Sequence, residues 1–336
     1  MIQPPKGTKD YLPAEMRKRH LVMERFRKIF ERYGYSEICT PAFENLELFD
    51  KKGGIGADNI KDIYRFQDKS GRWLALRFEM TASVARVVSN NPSMAKPIKW
   101  YYISSLWRYE ATKKGRLREF WQAGTEFIGK KDELADAEQV AIAYDCLKAA
   151  GVEGFSIKVN SRRLISKIAE SFGITDKSAF FRMLDKKEKM ELSEWICALE
   201  GFFGSRERLD KFIDLIEAPW ADLKGRLGEE AGEEVAGLEK ILNYAKSFGV
   251  AENCLKVDLS MIRGLDYYTD FIFEITVEGE KELGSLGGGG RYDNMIELFG
   301  GQETPATGMA LGIERIMELV AEKIPDTAHL DALILP

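Results

Sequence analysis

The stretch IKWYYISSLWRYEATKKGRLREFWQAGTEFI, residues 98–128, decides the predicted fold. Two runs rich in aromatic and branched residues, 98–110 and 119–128, have the composition of β-strands. A polar, basic segment, ATKKGRLR, separates them. The stretch therefore predicts a long antiparallel hairpin. Arg108 and Glu110 should share one face of it, because residues two apart in a strand point the same way.

The return strand of this hairpin carries a second set of chemically active side chains. Phe120, Gln122, Gly124 and Glu126 alternate along it and should share one face. An aromatic ring, an amide and a carboxylate would then line one sheet surface together with a cation. A charged face that is merely solvated is the alternative for any such hairpin. Gly124 counts against that alternative, since glycine inside a strand often marks close ligand approach.

Composition narrows the class of protein. The 336 residues are 45% hydrophobic and 31% charged with a net charge of −5, which is ordinary for a globular protein of about two domains. The four cysteines form no CxxC pair, which favours a reduced, cytoplasmic protein without a zinc or disulfide framework. His20 and His329 lack metal-ligand neighbours and are expected at the surface. No export signal or membrane-spanning run is present.

Secondary-structure signals change twice along the chain. Helical patterns cover residues 14–33, 80–90 and 132–150, with Asp132 and Gly151 as expected caps. YSEICTPAF, residues 35–43, alternates like a strand broken by Pro41. Residues 161–250 are almost wholly helical, and strand signals return over 255–278. This order predicts a helical insertion in one mixed α/β domain.

Further motifs occur in the second half of the chain and at its end. TGMALG predicts a strand that runs into a helix from about residue 313. GSLGGGGRYD, residues 284–293, fits a tight turn or a close backbone approach better than a dinucleotide cradle, and no P-loop is present. The apolar run LDALILP, residues 330–336, is expected to be the stub of a missing domain.

Three arginines stand at the ends of predicted strands. Arg108 leaves the hairpin, Arg263 precedes the strand at 271–275, and Arg315 follows the small-residue strand. Planar guanidinium groups on one sheet suit a polyphosphate. Glu79, in RFEMTAS, and Glu126 would repel phosphate and should face a cationic group. The pattern therefore predicts two substrates, one of them an amine.

Several motifs in the same order resemble the class II aminoacyl-tRNA synthetases, and specifically the histidyl-tRNA synthetase family of archaeal type. They are KGTKDYLP, the motif 1-like GYSEICTPAFE, the motif 2-like WRYEATKKGRLREFWQAGTEFIG, RGLDYYTDFIFE, GGGGRYD, and the motif 3-like GMALGIERIMEL. The resemblance implies an antiparallel β-sheet flanked by helices. It divides the chain into catalytic residues 1–160, an insertion at 161–252, catalytic residues 253–328, and the stub at 329–336.

The family implies roles for the matching residues. For ATP, these are Arg108 on the α-phosphate, Glu110 and Phe120 at the adenine, and Arg116 and Arg315 on the outer phosphates. For histidine, these are Arg108 on the carboxylate, Glu79, Thr81 and Gln122 on the amine, and Glu126, Tyr267, Tyr268 and Tyr292 around the imidazole. Arg263 and Arg108 would be the catalytic residues, and Arg263 would also contact the histidine. Gly264 would let its loop pass close to the substrate. Asp270 stands where the family has a smaller residue.

The implied activity is that of a cytoplasmic homodimer that joins L-histidine to tRNA(His) with ATP and Mg²⁺, without a membrane partner. Motif 1 builds the dimer interface in the family. A chain without the anticodon-binding domain should charge tRNA weakly. The alternative is the histidyl-synthetase-like regulatory subunit of ATP phosphoribosyltransferase, which binds without ligating. Four retained arginines, Arg108, Arg116, Arg263 and Arg315, favour the ligase.

Overall fold

The computed structural model describes residues 2–51, 55–187, 190–227 and 231–325, and His329 and the C-terminal apolar run lie outside them. Strands form a large and a small sheet. The strands of the large sheet are β1 (Ser36–Glu37), β5 (Ile98–Trp107), β6 (Glu119–Ile128), β7 (Phe155–Ser161), β8 (Leu255–Val257), β9 (Phe271–Val277), β10 (Gly287–Arg291) and β11 (Ala306–Gly312). Those of the small sheet are β2 (Phe43–Asn45), β3 (Arg65–Gln67) and β4 (Trp73–Leu76).

Helices cover the sheets and form the middle of the chain. The helices before β7 are α1 (Pro13–Arg32), α2 (Glu47–Asp50), α3 (Ala57–Ile60), α4 (Thr81–Ser89) and α5 (Glu133–Ala150). Those after it are α6 (Arg162–Ser171), α7 (Lys177–Leu184), α8 (Leu192–Phe203), α9 (Arg206–Glu217), α10 (Trp220–Arg226), α11 (Gly232–Ser247), α12 (Met295–Leu298) and α13 (Ile313–Val320). No helix in the described part of the chain is long and apolar enough to cross a membrane.

The large sheet confirms the predicted mixed α/β class and its hairpin. Its strand order is β1-β5-β6-β11-β10-β9-β7-β8, and all pairs are antiparallel except the two at the edges. β5 and β6 pair in register from Ile98 opposite Ile128 to Trp107 opposite Glu119. The motif 1 region yields only the short β1 before Pro41 and β2 after it. β2 pairs in the small sheet, so the chain changes sheets around the proline.

The glycine run corrects one expectation and confirms another. Residues 287–291 form no tight turn; they are the strand β10 inside the large sheet. The backbone approach is close, as expected. A Cβ on Gly289 would lie 2.0 Å from the carbonyl oxygen of Gly308. Glycine has poor strand propensity, so the sequence pattern does not indicate a strand here.

The helical block α6 to α11 lies between β7 and β8, which pair in parallel at one edge of the sheet. Asp270 joins the block to the sheet. Its Oδ1 accepts a hydrogen bond of 2.6 Å from Ser161, whose hydroxyl in turn accepts from the backbone N–H of Leu164 and caps α6. Asp270 therefore has a structural partner that a smaller residue could not reach.

A buried ion pair fixes α5 against β10. Arg291 and Asp136 are 5% and 3% exposed, and Arg291 Nε lies 2.9 Å from Asp136 Oδ2. The guanidinium also donates to the carbonyls of Lys130 and Asp132, the latter being the N-cap of α5 as predicted. The same arginine thus holds the start of a helix and the end of a strand.

Replacing Arg291 with Met should lower the free energy of unfolding by roughly 3–5 kcal/mol, because Asp136 stays buried without its cation. Urea denaturation measures the change. Arg32→Met, which removes a pair to Asp145 with the arginine 64% exposed, should cost no more than about 1 kcal/mol. Equal losses in the two variants would contradict a special role for the buried pair.

Candidate active site

One cavity of about 540 Å³ opens on the face of the large sheet beside the hairpin. Every predicted site residue except Glu126 lines it. These are Glu79, Thr81, Arg108, Glu110, Arg116, Phe120, Gln122, Arg263, Tyr267, Tyr268, Tyr292 and Arg315. They come from β6, α4, α13 and the segments between strands, so residues far apart in the sequence converge on one site.

Arg108 marks the point where the hairpin opens into its loop. β5 ends at Trp107, so Arg108 and Glu110 lie beyond the strand and not on its face, which corrects the expectation. Arg108 Nε donates to the carbonyl of Phe78, and its guanidinium lies 4.4 Å and 5.2 Å from the rings of Phe78 and Phe120. Two aromatic rings and a carbonyl thus orient this cation before any substrate arrives.

Glu110 lies among the arginines of the pocket. Its carboxylate pairs with Arg116 and lies 3.9 Å from Arg108. The Nε of Arg116 is buried and has no hydrogen-bond partner among the described residues. A buried unsatisfied donor is costly, so this group is available to an acceptor that binds in the pocket.

Four arginines line the cavity and are called the arginine set: Arg108, Arg116, Arg263 and Arg315. Arg315 donates to the carbonyl of Ser285, and burial together with Arg116 and Arg108 lowers its pKa to about 10. Burial alone would lower the pKa of Arg263. The neighbouring Tyr268 and Glu274 outweigh burial and raise it, and Glu274 Oε1 lies 3.2 Å from Arg263 Nη1. An anion bound here would relieve the mutual repulsion of these cations.

Glu79 and Glu126 form a separate acidic set. The two carboxylate oxygens of Glu79 accept from the backbone N–H groups of Thr81 and Ala82, each at 2.7 Å, and so cap the start of α4. Thr81 is the first residue of this helix. Its hydroxyl donates to Glu126 Oε1 at 2.9 Å. Burial raises the pKa of Glu79, partly offset by the two backbone N–H groups.

Glu126 lies behind the cavity wall and is only 1% exposed. It accepts hydrogen bonds from Thr81 and from the hydroxyl of Tyr292, both of which line the cavity. Burial raises its pKa to about 8. A Cβ on Gly308 would lie 2.0 Å from Glu126 Oε2, so the small residue on β11 makes room for this carboxylate.

Tyrosines wall the acidic side of the cavity. The rings of Tyr267 and Tyr268 lie 4.7 Å apart, and Tyr292 meets Tyr267 edge-on at 5.9 Å. All three are at most 8% exposed. An aromatic enclosure with a carboxylate behind it suits a flat, hydrogen-bonding ring.

The structure corrects the prediction for Gly124 and gives no steric support to the prediction for Gly264. A Cβ on Gly124 would lie 2.4 Å from the hydroxyl of Tyr102, so this glycine accommodates a protein side chain and not a ligand. A Cβ on Gly264 would meet only Asp185 Oδ2, at 3.8 Å, which is an ordinary contact. The contacts of this position therefore give no steric reason for glycine at 264.

Sequence reasoning missed several residues that line the cavity. The carboxylate of Glu314 accepts from Arg19 at 2.7 Å and from the backbone N–H of Trp121 at 2.8 Å, tying α13 to α1 and β6. Leu184, Asp185 and Lys187 come from the helical block. Tyr102 lies opposite Gly124 in the hairpin register. Only this last residue had a signal in the sequence: a glycine paired across a hairpin with a large ring.

Solved structures place the fold in a class. A histidyl-tRNA synthetase from Nostoc sp. matches with a TM-score of 0.83 at 25% identity, covering 97% of this chain and 78% of that one. A Bacillus halodurans structure described as an ATP phosphoribosyltransferase regulatory subunit/histidyl-tRNA synthetase has the same TM-score at 24% identity, covering 95% and 83%, and shows the fold alone. The architecture is that of the class II synthetases.

Sequence comparison identifies the family. The Histidyl-tRNA synthetase family model matches residues 7–316. The histidine–tRNA ligase of Pyrococcus horikoshii is 42% identical over 96% of this chain and 76% of its own length. That of Methanocaldococcus jannaschii is 39% identical over 100% and 79%. The chain belongs to the histidyl-tRNA synthetase family and is an aminoacyl-tRNA ligase, which confirms the resemblance to archaeal members. The absence of an anticodon-binding domain stays a prediction.

The raised pKa of Glu126 predicts a pH-dependent stability. The folded protein holds the proton up to about pH 8, whereas the ordinary pKa is 4.5. The folded state therefore binds more protons between these values, and the free energy of unfolding should fall as the pH rises through that window. Urea denaturation of the unmodified protein and of Glu126→Gln should show a weaker fall in the variant.

The exposed Glu194 offers a matched control for this measurement. Glu194→Gln should keep the pH dependence of the unmodified protein. If Glu126→Gln and Glu194→Gln give the same slope of unfolding free energy against pH, the carboxylate of Glu126 is not the group that titrates.

Proposed function

We propose that this cavity carries out the histidine–tRNA ligase reaction. It activates histidine with ATP to histidyl-adenylate and then transfers the histidyl group to tRNA(His). The carboxylate of histidine attacks the α-phosphorus of ATP, the bond to the β-phosphate oxygen breaks, and histidyl-adenylate and pyrophosphate form. The terminal ribose hydroxyl of tRNA then displaces AMP. The protein supplies no nucleophile, so it must align two anions and neutralise the charge that develops between them.

The arginine set carries the phosphate half of this proposal. Arg108 is oriented towards the α-phosphate and the histidine carboxylate, with Arg263 as the second contact of the reacting group. Arg116 and Arg315 hold the outer phosphates, and Phe120 and Glu110 hold the adenine. Support comes from the unsatisfied Nε of Arg116 and the lowered pKa of Arg315. Both features favour binding of an anion.

The acidic set and the tyrosine wall carry the amino-acid half. Glu79, Thr81 and Gln122 contact the α-ammonium group. The buried Glu126 and Tyr268 contact the imidazole. Tyr267 and Tyr292 complete that enclosure. The observation that carries the proposal is the meeting of four arginines and the buried Glu79 in one cavity, with the buried Glu126 directly behind its wall, since these two sets match an ATP and an amine.

Mg²⁺ fits this site as an ion brought by ATP. Nowhere in the described ranges do three His, Cys, Asp or Glu side chains form a group that could hold a metal. Mg²⁺ in nucleotide sites is held by phosphates, water and one or two carboxylates. Glu274 and Glu110 are the carboxylates that stand beside the arginines. When bound, Mg²⁺ would shield phosphate charge.

A homodimer is proposed with the small sheet as part of its contact surface. Phe43 of β2 and Phe66 of β3, 51% and 40% exposed, meet edge-on at 6.3 Å across β4, on one face of the small sheet. Phe43 belongs to the motif 1-like segment. Exposed paired aromatics are typical of protein interfaces. A cytoplasmic location is proposed as well, because ATP and uncharged tRNA are found there.

The regulatory-subunit alternative shares the fold, and one observation weighs against it. A protein that only binds histidine gains little from a second arginine facing the reacting group, yet Arg263 is held in the cavity by Glu274 and close packing on β10. A Cβ on Gly288 would lie 2.8 Å from Arg263 Nη1. The backbone of β10 therefore passes close to this guanidinium.

Histidine-dependent exchange of pyrophosphate into ATP tests the proposed reaction. With Mg²⁺, the purified chain should exchange only when L-histidine is present, because the first step is reversible and needs no tRNA. Lysine and glutamine serve as negative controls. Absence of exchange above background at saturating histidine and ATP would overturn the ligase proposal and favour the binding-only alternative.

Arg263→Ala should reduce histidine-dependent exchange by at least 10²-fold, because removing one preorganised charge contact to a transition state costs about that much. Histidine binding, measured by calorimetry, should survive. Arg206→Ala on the exposed surface of α9 is the control and should exchange normally. Exchange that is intact at saturating histidine, with only histidine binding weakened, would contradict the assigned role.

A further inference from the structure

Residues 262–268, which carry Arg263, form a loop without helix or strand, and we call them the Arg263 loop. Among the described residues, one hydrogen bond reaches the backbone of this loop from another part of the chain. The side-chain amide of Asn59 donates it to the carbonyl of Gly264, at 3.0 Å. Asn59 stands 205 residues earlier and lines the same cavity. A side chain distant in the sequence therefore holds the backbone next to Arg263.

The amide of Asn59 uses both of its N–H groups. The second one goes to the carbonyl of Ile55, at 2.6 Å, within its own segment. Gly56 brings the two segments together at another point, because its φ is +92° and a Cβ there would lie 2.9 Å from Asp266 Oδ2. The segment around Asn59 thus runs in close contact with the Arg263 loop.

The same segment also reaches the surroundings of Arg108. We call residues 55–64 the bridging segment. The carbonyl of Asp62 accepts from the backbone N–H of Tyr109 at 2.7 Å, and the rings of Tyr64 and Tyr109 meet edge-on at 5.3 Å. Tyr109 directly follows Arg108 in the chain. The bridging segment therefore contacts the chain beside each of the two arginines that are proposed to face the reacting group.

A small apolar cluster supports this arrangement. Its buried members are Leu48, Phe49, Ile55, Ile63, Ala75, Phe78 and Ala82. Leu265 of the Arg263 loop packs against this cluster. Phe78 is the residue whose carbonyl and ring orient Arg108. The same cluster thus lies beneath both arginines.

We infer that Asn59 is a positioning residue, whose amide fixes the carbonyl of Gly264 and so sets the place of Arg263 relative to Arg108. The inference rests on the proposed function, because it concerns the two arginines assigned there to the reacting group. Charge contacts stabilise a transition state only when they are held in place before the reaction. Asn59 would supply that placement on the side of Arg263.

Asn59→Ala tests this inference, with Asn91→Ala as the matched control. Asn91 also donates its amide to a carbonyl four residues earlier, that of Val87 at 2.7 Å, but it does not line the cavity. Asn59→Ala should lower kcat in pyrophosphate exchange about fivefold, the usual size of one net hydrogen bond, and leave the KM for ATP unchanged. Asn91→Ala should change neither. An unchanged kcat in Asn59→Ala would overturn the inference.

A second substitution in Arg263→Ala separates positioning from a general loss of structure. If Asn59 acts through Arg263, Asn59→Ala should lower exchange by no more than about twofold in the Arg263→Ala background, because coupled residues are not additive. Equal fold losses in both backgrounds would contradict the assignment. Asn59→Asp keeps the shape but cannot donate, so it should lose at least as much activity as Asn59→Ala. Thermal unfolding midpoints check that the variants are folded.

Hydrogen exchange of backbone amides keeps this test separate from the proposed reaction. Amides of residues 262–268 should exchange faster in Asn59→Ala than in the unmodified protein, and those of residues 119–128 at the same rate. If the unmodified protein shows no pyrophosphate exchange, the ligase proposal fails, and hydrogen exchange alone decides whether Asn59 holds the loop. If pyrophosphate exchange is present and the loop amides are equally protected in both proteins, only the role of Asn59 fails.

Discussion

Four guanidinium groups share one cavity, and their mutual repulsion is the constraint on which the rest of the site depends. Burial lowers the pKa of Arg315 to about 10, and the neighbouring Arg116 and Arg108 act in the same direction. Each arginine is stabilised by the protein itself. Arg108 and Arg315 donate to backbone carbonyls, and Arg116 and Arg263 pair with Glu110 and Glu274. A polyphosphate would replace these partners with stronger ones.

The two carboxylates of the acidic set, Glu79 and Glu126, are likewise held in place by groups of the protein itself. Glu79 and Glu126 are buried and form no salt bridge with an arginine or lysine among the described residues, and burial raises the pKa of both. Backbone N–H groups hold Glu79, while Thr81 and Tyr292 hold Glu126. The backbone makes space for them, because Gly308 on β11 has no side chain to collide with Glu126. The binding groups are therefore oriented before the substrate arrives, which reduces the cost of ordering them.

Much of this architecture could be predicted from the sequence because it depends on local patterns. The composition of the two strands predicted the hairpin, and helical patterns predicted α1 and α5, the latter with its caps. The strand β10 could not be recognised, since four glycines carry no strand propensity and only the neighbouring backbones require them. The site residues were named from motifs. Their convergence, the burial of Glu126 and the pairing of Asp270 with Ser161 depend on contacts far apart in the chain.

The placement of the reacting group between Arg108 and Arg263 is the central claim. A crystal structure with a non-hydrolysable histidyl-adenylate, in which a sulfamoyl group replaces the phosphoryl group, tests it most directly. We expect both guanidinium groups within roughly 3.2 Å of sulfamoyl oxygens, from two sides, with the amine towards Glu79. A sulfamoyl group in contact with neither arginine would contradict the account.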